Sequence, residues 1–236
     1  MTTKAMIDGI KKAGFNSIRI PVSWSNMMSS DGNYIIDASY FKRVDEIISY
    51  AFANDMYVII NDHYDGGWWE HFCGNKRDCM KHYKNMWTQV AEHYKDYSEK
   101  LIFESANEEL GDSLKKSLSK IDVNISDTAL YNLVNEINQT FVDIVRQSGG
   151  NNARRYLLIA GFNTDIDKTC SSLYEMPTDT ISNHLMVSVH YYTPWTYVGL
   201  YKDEGYGYKA TWGTDSDKSE ICLLYTSPSP RDMRRS

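Results

Sequence analysis

The run Leu101-Ile102-Phe103-Glu104-Ser105-Ala106-Asn107-Glu108-Glu109 turns from apolar to polar halfway along and ends on acidic side chains. A carboxylic acid at the end of an apolar strand, beside an amide able to hydrogen-bond a sugar hydroxyl, suits glycosidic bond cleavage. In that chemistry one carboxyl protonates the leaving oxygen while a second attacks the anomeric carbon. Glu108 is the candidate proton donor and Asn107 the candidate amide. Alone, an Asn-Glu pair serves equally well as a solvated loop or a helix cap, so its surroundings must decide.

Further polar residues recur at comparable places. Arg19 lies between Ile18 and Ile20, so alternation along a strand points it away from both isoleucines. An inward guanidinium needs a carboxylate partner, for which Glu104 or an attacking carboxylate would serve. An Arg–Glu pair that merely fills the interior is the alternative. His63 shares the parity of Asn61 in Ile59-Ile60-Asn61-Asp62-His63-Tyr64-Asp65. Zinc is the competing use of His and Asp, but metal-dependent barrels usually carry a His-x-His pair on their first strand, and none is visible. No metal or cofactor is therefore expected. His190 and Tyr192, two apart in His190-Tyr191-Tyr192-Thr193-Pro194-Trp195, point the same way. Trp24, Trp68, Trp69 and Trp195 follow three of these segments and could offer flat faces to sugar rings; packing in a core or loop is the plainer use. His71, His82, His93 and His184 read as surface residues.

The elements that must position these groups alternate. Thr3 caps a helix with Met6, Ile7, Ile10 and Ala13 in phase, and Gly14 ends it. The strand Asn16–Ile20 follows and stops at Pro21. Asp37 opens a helix with Phe41, Val44, Ile47, Ile48 and Ala51 on one face, ahead of the strand Met56–Asn61. A helix from about Asp78 leads to the strand Leu101–Ala106. Another carries Leu130, Leu133, Val134, Ile137, Phe141, Ile144 and Val145 up to Gly149-Gly150 and the strand Arg155–Ala160. A short helical turn near Ser172–Tyr174 precedes the strand Leu185–His190. Strand alternating with amphipathic helix implies parallel strands joined by crossovers.

Five strands fit either an open doubly wound sheet or a closed barrel. Arg19, His63, Asn107, Glu108 and His190 fall at or just beyond the C-terminal ends of four strands, where a (β/α)8 barrel gathers its site. An open sheet would favour one switch point with a glycine-rich turn, which is missing.

Bulk properties agree with one soluble globular core. The chain has 236 residues, 42% hydrophobic and 24% charged. Its net charge of -6 disfavours nucleic acid and anionic membranes as partners. No apolar run nears the roughly 20 residues that span a bilayer. The 18 Tyr and 6 Trp are the unusual feature. Four cysteines set no disulfide framework, although Cys73 and Cys79 could pair in an oxidising compartment. Met1-Thr2-Thr3 leads straight into a helix with no signal peptide, as in a chain that begins inside a domain.

Four ordered motifs carry a resemblance: Ile18-Arg19-Ile20-Pro21-Val22-Ser23-Trp24, Ile59 to Asp65, Leu101 to Glu108, and Val187-Ser188-Val189-His190-Tyr191-Tyr192-Thr193-Pro194-Trp195. Together they resemble glycoside hydrolase family 5, the cellulase A family, from Thr2 to about Glu220. The resemblance implies a (β/α)8 barrel, no metal, secretion, and retaining hydrolysis of β-linked glucans or related polysaccharides. It makes Glu108 the acid/base, Asn107 the substrate-binding amide, Arg19 the strand arginine near the nucleophile, and His63 the site histidine. His190 and Tyr192 match the pair flanking the nucleophile. Glu109 stands where many members have Pro.

The family's nucleophile stretch, resembling Val-Ile-Gly-Glu-Phe/Tyr-Gly, has no counterpart here. Glu220 follows polar residues and is rejected for that role. The first strand is expected ahead of Thr2, which leaves five or six of eight. Residues 1–220 thus read as an incomplete barrel. Residues 221–236, with two prolines and three arginines, read as a non-native-looking tail, a natural disordered tail being the alternative. The chain is expected to be inactive or insoluble, and the complete parent an endo-β-1,4-glucanase. Mannanase and xyloglucanase are alternatives within the family. A non-catalytic carbohydrate-binding protein on a degenerate barrel is the rival from another class, and a metal-dependent barrel hydrolase the third reading.

Overall fold

The computed structural model describes residues 2–120, 124–205, 207–215 and 217. The suspected tail and Glu220 lie outside the described residues. Five strands, β1 (Ser17–Ile20), β2 (Tyr57–Asn61), β3 (Leu101–Glu104), β4 (Leu157–Ala160) and β5 (Leu185–Ser188), form one sheet in the order β1-β2-β3-β4-β5. All four pairings are parallel. Sequential order with every neighbour parallel is barrel topology, here with β1 and β5 as edges among the described residues.

The helices before and between the strands are those the apolar spacing predicts. The first, α1 (Lys4–Lys12), starts on the Thr3 side chain, which accepts from the Met6 amide. The next, α2 (Ala38–Phe52), starts on Asp37, which accepts from the Ser39 amide. Then come α3 (Lys76–Tyr94) and α4 (Asp127–Gln147). Ser126 caps α4 by accepting from the Ala129 amide. Buried Leu130, Val134, Ile137, Phe141 and Val145 hold α4 to the sheet; each such side chain contributes about 1.5–3 kcal/mol. A four-residue α5 (Ile166–Thr169) precedes the predicted turn near Ser172, and α6 (Trp195–Val198) follows β5.

Alternation sorts the strand side chains into two sets. Val58, Ile60, Leu101, Phe103, Leu157 and Ile159 are buried beneath the helices. Arg19, Ile59, Ile102 and Leu158 face the other way and keep some exposure.

The strand β4 begins at Leu157, later than the expected Arg155, and that arginine has another task. Its buried guanidinium donates to the carbonyls of Tyr94, Tyr97, Ser98 and Leu101 and to Asn152 Oδ1. It thereby ties the end of α3 and the start of β3 to β4. Next to it, Arg146 donates to the carbonyls of Asn152 and Arg155 and pairs with Asp179 through two bonds of 2.8 Å. Cys73 and Cys79 are both free thiols, so the suggested bridge is absent; Cys79 Sγ faces the Trp68 carbonyl at 3.7 Å.

Candidate active site

The carboxyl ends of the strands bring most of the predicted polar residues into two hydrogen-bonded clusters, joined through the chain at Asn107-Glu108. Arg19 Nε donates to Glu104 Oε2 at 2.7 Å, and its Nη2 donates to Asn107 Oδ1 at 2.9 Å. Ser188 Oγ on β5 donates to the other Glu104 oxygen at 2.6 Å. Glu104 is thus a buried anchor holding β1, β3 and β5 side chains together. Arg19 in turn fixes the Asn107 amide, which orients the chain that leads to Glu108.

Glu108 stands at the mouth with its side chain partly open to solvent. His190 Nδ1 lies 2.6 Å from Glu108 Oε1, and Tyr192 OH donates to the same oxygen at 2.6 Å. Burial pushes the Glu108 carboxyl up, but the hydrogen bonds from His190 and Tyr192 outweigh it, and the net value lies below the ordinary one. Tyr192 shifts in the opposite sense, raised by its bond to Glu108 and then by burial. The pair that the resemblance sets beside a nucleophile therefore reaches Glu108 here, because β5 delivers both side chains across the top of β4.

His63 lies within electrostatic reach of Arg19. Burial, followed by the positive charge of Arg19, lowers its imidazole below the usual range, so the ring is neutral near pH 7. Its Nδ1 is 3.5 Å from Asn61 Nδ2. Asp62 turns away from the mouth into the core, where Trp69 Nε1 donates to it at 3.0 Å. Burial, then neighbouring Asp65, raises the Asp62 carboxyl well above its ordinary value.

The aromatic expectations need correction. Trp24 is fully buried: its indole donates to the Asn61 carbonyl at 2.9 Å and packs on Tyr40 and Phe41. It cannot stack on a sugar, because the chain after Pro21 turns back over α2. Trp68 is half-buried between Trp69 and His82, with ring centroids at 4.4 and 4.3 Å. Its faces are occupied, so the proposed platform fails there too. Trp195 is 51% exposed, and its ring lies edge-on to Tyr192, 6.1 Å away. His82 is buried, not a surface residue. It stacks on Tyr34 and meets Ser25 Oγ at 2.7 Å, while Ser25 also donates to Asp65.

A cleft of about 570 Å³ opens beside Glu108, lined by Tyr64, Gly66, Gly67, Trp69 and Glu109 among others. Tyr64 and Glu109 went unread as site residues. The signal for Glu109 was present as the departure from Pro; the signal for Tyr64 was only its place next to His63. Among the described residues no group of three or more His, Cys, Asp or Glu side chains could hold a metal ion.

Residues 1–221 match the cellulase family, glycosyl hydrolase family 5. The chain belongs to that family. It is 37% identical over 226 residues to Endoglucanase A of Paenibacillus barcinonensis, covering 89% of this chain and 53% of the relative. Identity is 33% to the xyloglucan-specific endo-beta-1,4-glucanase of Bacteroides ovatus, covering 89% of this chain and 40% of that protein. The glycoside hydrolase 5 lichenase from Caldicellulosiruptor sp. F32, solved as a mutant with cellotetraose, superposes with a TM-score of 0.83 at 36% identity. That match covers 95% of this chain and 60% of the lichenase. The chain spans about half the length of the curated relatives it matches. Family 5 neighbours are (β/α)8 barrels, and five parallel strands in an open sheet are an incomplete version of that fold.

Proposed function

We propose that this family 5 chain supplies the proton-donating half of a retaining β-1,4-glucan hydrolase. One observation carries the reading: Glu108 stands at the mouth of the sheet, held by His190 and Tyr192 beside an open cleft. Glu108 would protonate the leaving oxygen, then take a proton from water in the second step. The bonds from His190 and Tyr192 hold this carboxyl below its ordinary value in the free chain, and a glycan lying over it would exclude solvent and strengthen the opposing effect of burial, toward the protonated form the first step needs. Asn107, fixed by Arg19, would bind a sugar hydroxyl, and neutral His63 would meet another. Relatives named endoglucanase, lichenase and xyloglucanase bound the substrate class to β-linked glucans. A polymer of that size does not enter cells, so we place the enzyme outside them. Among the described residues no helix is long and apolar enough to cross a membrane.

A sugar-binding protein without turnover is the second reading, favoured by the bonds from His190 and Tyr192 that hold the Glu108 carboxyl below its ordinary value, away from the protonated form of a donor. Both are tested by titrating the chain with cellotetraose and measuring, by mass spectrometry, the shortened glucan chains released from soluble β-glucan. We expect binding, and very slow release that added azide accelerates: azide bonds to the anomeric carbon in place of the attacking carboxylate and leaves a glycosyl azide, while Glu108 gives its proton to the departing oxygen. Glu108→Gln should remove that azide-dependent increment by about 100-fold or more. Azide-dependent release unaffected by Glu108→Gln would overturn the proton-donor role, binding without any release would favour the second reading, and no binding would overturn both.

A further inference from the structure

Tyr64 combines three features that its neighbours do not explain. It is 81% exposed, the most exposed large hydrophobic residue among those described. Its backbone has a φ of 46°, a left-handed value that a bulky side chain adopts only where the surroundings enforce it. And it lines the same cleft as Glu108. The enforcement is visible on both sides of the residue. Its amide donates to Glu109 Oε1 at 3.2 Å, and its carbonyl accepts from Ser23 Oγ at 3.4 Å. The other oxygen of Glu109 is sealed from water, so that side chain is lodged rather than loose. Beyond Asp65 the loop continues through Gly66 and Gly67, with φ of 73° and 76°. Neither carries a side chain, so the cleft wall beside the tyrosine stays open for a ligand to approach the backbone.

Strain held in place beside a functional group marks a residue kept for what it presents. What Tyr64 presents is a flat apolar ring with a polar edge, next to a cleft of about 570 Å³, roomy enough for more than one sugar ring. Trp24 and Trp68 have no free face to offer. We propose that Tyr64 is the aromatic platform for a glucose ring in the cleft beside Glu108, and that Glu109 is a positioning residue that holds its backbone. This rests on the carbohydrate reading above and assigns its stacking surface.

The test titrates cellotetraose into the wild-type chain and into Tyr64→Ala, Tyr64→Trp, Glu109→Ala and Glu109→Gln, with thermal melts of each. Removing one stacked ring should weaken binding about 5-fold to 10-fold in Tyr64→Ala, and Tyr64→Trp should restore it. Melting should not move in either, because the ring is exposed. Glu109→Gln keeps a carbonyl for the Tyr64 amide and should bind as the wild type does, whereas Glu109→Ala should weaken binding about 3-fold. Wild-type affinity in Tyr64→Ala would overturn this inference alone. Failure of the wild-type chain to bind cellotetraose would overturn the carbohydrate reading and the platform with it. Equal loss in Glu109→Gln and Glu109→Ala would overturn the positioning role.

Discussion

Two arginines placed on this sheet do opposite work. At the base, Arg155 is fully buried without a carboxylate in its bonding set, and its donors go to four main-chain carbonyls and an asparagine oxygen. Burial pulls its pKa down to about 10, so it remains charged at any ordinary pH. At the mouth, Arg19 meets Glu104 and Asn107 and stays partly exposed, and Glu108 beside Asn107 faces solvent. A closed hydrogen-bond set fixes geometry and offers nothing to a ligand. An open one costs stability and leaves directional groups available. The base holds the sheet, and the mouth is where the proposed glycan contacts lie.

The base should break hardest. Arg155→Met removes every donor at once and leaves the carbonyls of Tyr94, Tyr97, Ser98 and Leu101 buried with lost partners. The expected loss is about 4 kcal/mol, or roughly 10 °C in melting temperature for a chain of this size. Cellotetraose affinity of the molecules that remain folded should not change. A melt within 2 °C of wild type, on the order of 0.5 kcal/mol, would mean that the carbonyls find water instead and that the base is not a clamp.

Arg19→Met should do less to stability and more to binding. Glu104 keeps Ser188 as a donor but loses its cation while buried, a loss on the order of 2–3 kcal/mol because the guanidinium itself is partly exposed. Asn107 is released at the same time, so cellotetraose binding should weaken about 10-fold. A variant that melts early but binds normally would place Arg19 with Arg155 as a structural residue and erase the contrast.

That contrast also explains what could be read from the sequence. Local rules were enough for Thr3 and Asp37 as caps, for the helical faces, and for Arg19 pointing away from Ile18 and Ile20, since each depends on residues within a few positions. Glu104 was reachable as the partner of Arg19 because both lie on alternating strands of known parity. Arg155 was not legible as a clamp: its acceptors are carbonyls 54 to 61 residues away, and carbonyls leave no mark in a sequence. Trp24 was misassigned because its place just after a strand end suggested the mouth, whereas Tyr40 and Phe41 of α2 draw it inward. His82 failed for a similar reason. Its helix position reads as outward, but Tyr34 and Trp68, from two different loops, fold over it. Side chains governed by loop packing were the ones misjudged.

The smallest effect tests whether the mouth tunes charge or merely displays it. Glu108 has its carboxyl lowered overall, with burial opposing the bonds from His190 and Tyr192. A carboxyl lowered in the folded state stabilises the fold above its unfolded pKa, and that contribution is lost as pH falls through the folded value. Tyr192→Phe deletes one of the two bonds and leaves burial in place, so the Glu108 midpoint must move upward, and the stability lost on acidification should become smaller and be complete at a higher pH. Carboxyl-carbon NMR titration of Glu108 reads the first, and melts between pH 3 and pH 6 (about the carboxylate range) read the second. The charge on Arg155 should be untouched, since no titrating group of the mouth contacts it. An unmoved Glu108 midpoint would show that the tyrosine bond does not set the proton affinity, leaving His190 to do so alone.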